Sequence, residues 1–296
     1  MNDANESPEV VGVDGSEPAL KAVRWAARDA AAAGRPLRLV AVATDPPPLA
    51  DAGPQVWAEL RAATVAAAED HLRAAAAAVA PLLPPERVGT VVRDGRPAAV
   101  LADESRHAAA VVVGNRGRGG FRGLLLGSTG VALTASAHCP LVVVRGNEAA
   151  DGPVVVGVDG SDGSEAALAY AVETAAQRRT ALVAVRAWGE PAMDPAVAVL
   201  LDTVELRRAQ AEELEQAVAA LREKYPDVPV TTHVTHGSPA TALKEASAEA
   251  GMVVVGARGR GGLAGLVLGS VAQSLVHHAA CPVAVVRPEV SRRVAG

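Results

Sequence analysis

Val111-Val112-Val113-Gly114-Asn115-Arg116-Gly117-Arg118-Gly119-Gly120 joins an unbroken apolar run to a loop of glycine and arginine. A strand with one wet face alternates polar and apolar residues, whereas a run such as Ala110 to Val113 has no wet face. It reads as a strand buried on both sides, as in a parallel sheet covered by helices. The loop that follows stands beyond the carboxyl end of that strand, where open α/β sheets hold their ligands. The whole stretch returns as Val253-Val254-Val255-Gly256-Ala257-Arg258-Gly259-Arg260-Gly261-Gly262, displaced by 142 residues.

Working outward, Val10-Val11-Gly12-Val13-Asp14-Gly15-Ser16 matches Val155-Val156-Gly157-Val158-Asp159-Gly160-Ser161 at an offset of 145, and Cys139-Pro140 matches Cys281-Pro282 at 142. A repeat this long is a duplicated domain and not a solenoid of small units. The polar stretch from Gly146 to Pro153 reads as a linker, which gives domains of residues 1–146 and 152–290. Within the first, βα alternation is regular. A short strand from Pro8 to Val13 precedes a helix capped by Ser16 and ended by Gly34. A strand from Leu37 to Ala43 and a proline-rich loop lead to a long Ala-rich helix that stops before Pro81. Strands follow near Arg87 to Arg93, Ala109 to Val113 and Leu141 to Arg145, separated by helices at Ala98 to Arg106 and from Ser128. The second copy repeats the order. The expectation is an α/β protein of two doubly wound parallel sheets.

Composition removes several classes of function. The net charge of −5 argues against a general nucleic-acid or anionic-membrane binder. Two distant cysteines make neither a disulfide scaffold nor a CxxC metal site, and suit a reducing compartment. Gly123 to Val144 lacks Asp, Glu, Lys and Arg and has the length of a membrane span, but its Ser, Thr, Gly and Cys-Pro residues favour a short helix followed by a strand. The amino terminus is polar and acidic and is not read as a signal peptide. Arg116-Gly117-Arg118-Gly119-Gly120 looks like an RGG element, yet it is fenced by structured segments in a chain with a single Phe, so RNA binding is not expected.

The glycines carry an ordered spacing: Gly114, two residues, Gly117, nine residues, Gly127, then Ser128, repeated as Gly256, Gly259, Gly269 and Ser270. Glycine lets backbone approach a ligand closely. The N–H groups and dipole of a helix opening at Ser128 or Ser270 favour phosphate, the Ser hydroxyl adds a donor, and Arg116, Arg118, Arg258 and Arg260 offset phosphate charge. A flexible surface turn is the alternative for one loop, and the recurrence of identical spacing weighs against it. There is no Walker lysine, and the turn after the first strand lacks the dinucleotide fingerprint.

These residues together resemble the ATP-binding branch of the universal stress protein family, in its tandem, actinobacterial form. The resemblance spans nearly the whole chain, twice. It implies a sheet order of 3-2-1-4-5 and one ATP per domain, with or without Mg²⁺. It implies an adenine and ribose pocket at Gly12, Val13 and Asp14, and at Gly157, Val158 and Asp159, closed over the base by Val42 and Ala187. The phosphate loops would be Gly114, Asn115, Arg116, Gly117, Arg118, Gly119, Gly120, Gly127 and Ser128, and Gly256, Ala257, Arg258, Gly259, Arg260, Gly261, Gly262, Gly269, Ser270 and Val271. It also implies pairing of domains through strand five, a homodimer and a cytoplasmic protein. Asn115 departs from the small residue usual at its position, which Ala257 supplies, so the two sites are expected to differ in affinity.

Asp14 and Asp159 are the only acids this pattern places near the ligand, and each reads more readily as a hydrogen-bond acceptor at a strand end than as a catalytic base. The seven His form no ligand set: His233 and His236 lie three apart on a strand, and His277-His278 closes a helix. Cys139 and Cys281 read as small buried hydrophobes. The expected function is an ATP-binding stress regulator without efficient catalysis; the alternative is a slow ATPase or other nucleotide-dependent enzyme.

Overall fold

The computed structural model describes residues 7–45, 53–118, 126–148, 151–189, 203–260 and 268–288. Internal contacts divide the chain into two units, residues 1–144 and 145–296. The first unit comprises β1 (Glu9–Val13), α1 (Glu17–Ala33), β2 (Leu37–Ala43), α2 (Pro54–Val79), β3 (Val88–Asp94), α3 (Pro97–Glu104), β4 (Ala110–Gly114), α4 (Ser128–Ser136) and β5 (Leu141–Val144). The second comprises β6 (Val154–Gly157), α5 (Asp162–Arg178), β7 (Leu182–Trp188), α6 (Thr203–Lys224), β8 (Val230–His236), α7 (Pro239–Ala246), β9 (Met252–Gly256), α8 (Ser270–His278) and β10 (Val283–Val286).

In the first unit the strands lie in the order β3-β2-β1-β4-β5, all parallel. The second unit has the equivalent order β8-β7-β6-β9-β10. From β1 the chain winds first toward β3 and then the other way toward β5. The point of reversal, between β1 and β4, opens a crevice at the carboxyl ends of those strands. Buried apolar residues, mostly Val, fill β4, β5, β9 and β10 up to the half-buried glycines that close β4 and β9, as expected for strands covered on both faces. By contrast β3 and β8 have neighbours on one side within their units and are partly exposed, with polar residues such as Thr90, Arg93 and Thr232.

Local signals fix the helix ends. Ser16 Oγ accepts from Ala19 N–H at 3.3 Å, and Gly34 closes α1 with φ of 69°. In the second copy Ser161 caps α5 in the same way, while Arg179 adopts the left-handed conformation that Gly34 takes in the first. The charge-free stretch from Gly123 to Val144 divides into the nine-residue α4 and the four-residue β5, its first three residues lying outside the described ones. Among the described residues, no helix is long and apolar enough to cross a membrane.

Candidate nucleotide site

Each unit carries a cavity at its strand-order reversal. The first, of about 760 Å³, is lined by Gly12, Val13 and Asp14 from the end of β1 and by Val42 of β2. Gly114, Arg116, Gly117 and Arg118 line it after β4, and Gly127 and Ser128 at the start of α4. The second, of about 460 Å³, is lined by the corresponding Gly157, Val158, Asp159, Ala187, Gly256, Arg258, Gly259, Arg260, Gly269 and Ser270, together with Val271. The sequence-derived set is thus gathered into two clusters, with exceptions. Asn115 and Ala257 line neither cavity. Gly119, Gly120, Gly261 and Gly262 lie outside the described residues.

The glycines divide into two kinds. A Cβ on Gly114 would meet the carbonyl carbon and oxygen of Pro18 at 2.6 Å, and one on Gly256 the carbonyl carbon of Gly163 at 2.6 Å. These two glycines let the end of a buried strand pass under the first turn of α1 or α5. A Cβ on Gly117 or Gly259 would overlap Oδ2 of Asp14 or Asp159. Gly127 is different. Its φ of −68° suits any residue, and a Cβ there would find nothing nearer than 3.7 Å. No packing demand within the described residues calls for a glycine at 127. It stands at the cavity wall, so the start of α4 is open toward the cavity there.

No side chain caps α4 or α8. Gly127 and Gly269 hold the cap positions, and the first N–H groups of each helix have no intrahelical acceptor. Ser128, Thr129 and Gly130 line the first cavity beside them. The residue after each strand-four glycine braces this arrangement through its backbone. Asn115 N–H donates to Val144 O at 3.1 Å and Asn115 O accepts from Gly127 N–H at 2.9 Å; Ala257 makes the same pair of bonds with Val286 and Gly269 at 2.7 and 2.8 Å. The Asn-for-Ala difference therefore leaves the bracing bonds unchanged and puts neither side chain into a cavity.

Asp14 ties two loops together. Its Oδ1 accepts from Ser16 N–H at 3.0 Å and Ser16 Oγ–H at 2.6 Å, and its Oδ2 accepts from Arg118 N–H at 2.9 Å. Asp159 repeats the pattern with Ser161 and Arg260. Burial works against the charged form of Asp159. The hydrogen bonds from Ser161, Arg260 and Ser164 outweigh it and hold its carboxyl below the usual range. A folded-state pKa below the unfolded value adds stability that is present above the unfolded value of about 3.9 and disappears as pH falls through the folded value. Urea denaturation of the native chain and of Asp159→Ala is expected to show a stability gap at pH 6 that narrows as the pH falls below the unfolded value of about 3.9. A gap of constant size over that range would contradict the assignment.

Several lining residues carry no signature in the sequence. Thr64, Ala67, Ala68 and His71 of α2 face the first cavity, as do Pro97 and Leu101 of α3. The four from α2 are spaced i, i+3, i+4, i+7 and so share one helix face, but alanines recur all round this helix and the spacing does not single the four out. His71 Nε2 lies 2.9 Å from Arg118 Nη1 and packs over Gly15; in the second unit the Arg260 guanidinium occupies the place over Gly160. Cys139 and Cys281 are buried, and burial pushes both thiols up to about 12. Among the described residues no group of three or more His, Cys, Asp or Glu stands together.

The universal stress protein family model matches residues 10–145 and 152–287. A universal stress protein of Mycolicibacterium smegmatis is 37% identical over 300 residues, an alignment covering 97% of this chain and 99% of that one. A universal stress protein of Mycobacterium tuberculosis is 36% identical over 302 residues, covering 95% and 97% respectively. Among solved structures, a universal stress protein from Archaeoglobus fulgidus superposes with a TM-score of 0.70 at 18% identity, over 97% of this chain and all of that one. That likeness bears on the fold alone.

Proposed function

The chain belongs to the universal stress protein family, and on that premise we propose that each domain holds one ATP and works as a nucleotide-responsive stress regulator without efficient catalysis. The observation that carries this reading is the helix start at Gly127 and at Gly269. It has no side-chain cap, it borders a cavity at the strand-order reversal, and at position 127 there is room where a side chain would stand. Phosphate oxygens satisfy such N–H groups and are favoured by the helix dipole. Arg116 and Arg118, or Arg258 and Arg260, supply positive charge at the rim. The base and ribose lie against Gly12, Val13, Asp14 and Val42 in one domain, and Gly157, Val158, Asp159 and Ala187 in the other. Gly119, Gly120, Gly261 and Gly262 join the phosphate loops by family resemblance.

Two observations support holding over cleaving. Asp14 and Asp159 already accept three hydrogen bonds each from the protein. A carboxylate held at a lowered pKa, as Asp159 is, makes a weak general base. The reading also has two chains pair as a homodimer in the cytoplasm, which sedimentation and cell fractionation test. For the function itself, protein purified from its host is denatured and the released small molecules are separated. Adenine nucleotide at up to two per chain is expected, and none, even after incubation with millimolar ATP, would overturn the proposal. Release of phosphate from ATP and Mg²⁺ at about 1 s⁻¹ or faster would establish the enzyme instead.

A further inference from the structure

The two cavities differ at one position of strand two. Register makes the comparison secure. Gly12 pairs with Val40 and Gly157 with Val185, so the next residues, Ala41 and Arg186, are counterparts. Ala41 lines the first cavity together with Thr64, Ala67, Ala68 and His71 of α2. Arg186 is 3% exposed; its Nε donates to Gln210 Oε1 at 2.6 Å and its Nη2 pairs with Glu213, both residues of α6. Between strand two and the following helix, small residues thus border the cavity in the first domain, and a buried arginine stands in the second. No described residue of α6 lines the second cavity.

We infer that the first domain has an additional pocket between β2 and α2 that takes an apolar group attached to the purine. The first site then accepts base-substituted adenine nucleotides, and the second, closed by Arg186, does not. This inference rests on the proposed ATP sites. The pocket is an extension of the cavity and not a separate one. Its walls are the methyl groups of Ala41, Ala67 and Ala68, with Thr64 beside them and His71, held by Arg118, at the edge. An apolar substituent gains from leaving water for such walls. The base end is indicated because Ala41 adjoins Val42, the residue set over the base, while the phosphate end lies at Gly127 on a different element.

Calorimetric titration of the full chain with ATP and with N6-benzyl-ATP tests the pocket. Gly269→Leu leaves only the first site open, and Gly127→Leu only the second. The first site is expected to bind N6-benzyl-ATP at least as tightly as ATP, and the second to bind it at least tenfold more weakly. Arg186→Ala is expected to remove that tenfold penalty in the second site. Ala68→Leu, which fills the pocket, is expected to raise the Kd for N6-benzyl-ATP at least tenfold relative to that for ATP in the first. Circular dichroism verifies that each variant is folded, and each tests the pocket without the other. Equal preference at both sites, with ATP bound at both, would overturn the pocket and leave the proposed function standing. Failure of ATP to bind either site would remove the proposed function itself.

Discussion

Replacing Gly127 and Gly269 together by leucine is expected to abolish ATP binding while the chain keeps its fold. The expectation follows from what a side chain would meet at 127. A Cβ there has only ordinary contacts, the nearest at 3.7 Å, and the backbone φ of −68° is available to any residue. At 269 the nearest contacts are at 3.4 Å, again without steric conflict. A leucine at either position stands at the cavity wall, where the proposed reading has phosphate reach the helix N–H groups. Losing those contacts is expected to weaken binding at each site by at least about a hundredfold, or roughly 3 kcal/mol. Equilibrium dialysis with labelled ATP measures the loss, and thermal melting shows that the fold is retained. A double variant that binds ATP like the native chain would show that the phosphates lie elsewhere.

Replacing Gly114 by valine is expected to do the opposite, damaging the fold first. Its Cβ would press on the carbonyl group of Pro18 at 2.6 Å and on Pro18 Cβ at 2.9 Å. Backbone held between a buried strand and the first turn of α1 has no rotamer with which to yield. Separating β4 from α1 opens packing at the centre of the sheet. Overpacking of this kind costs on the order of 3 kcal/mol. For a domain of this size that lowers the melting temperature by roughly 10 °C. Gly256→Val, set against Gly163, is expected to do the same to the second domain. Scanning calorimetry of the whole chain reads both, and a shift below about 2 °C for either would contradict the steric account.

These opposed expectations mark where sequence reading stopped. The valine runs at β4 and β9, the βα alternation and the two offsets specify buried parallel strands and a duplication, because burial on both faces leaves a visible composition. Spacing also located the glycine loop. It did not separate a glycine required by Pro18 from one left open toward a cavity, since both are the same letter and the difference lies in atoms about a hundred residues away. Nor did it bring α2 into the site: Thr64, Ala67, Ala68 and His71 sit in a long Ala-rich helix where small residues are unremarked. Arg186 was hidden for a different reason, since an arginine in a strand announces its burial only once Gln210 and Glu213 are placed opposite it.

The Asp14 clamp has a consequence for the newly made chain. Asp14 and Arg118 are 104 residues apart in sequence, so neither loop is held in place until β1 and β4 have come together. A ligand captured there recognises an assembled domain and stabilises it by mass action, by about 2.7 kcal/mol at a hundred times its dissociation constant. Domains fold largely as units, the amino-terminal one first during synthesis. On the proposed reading, the first site can therefore assemble before the second domain is made, and nucleotide can bind this protein before its translation ends.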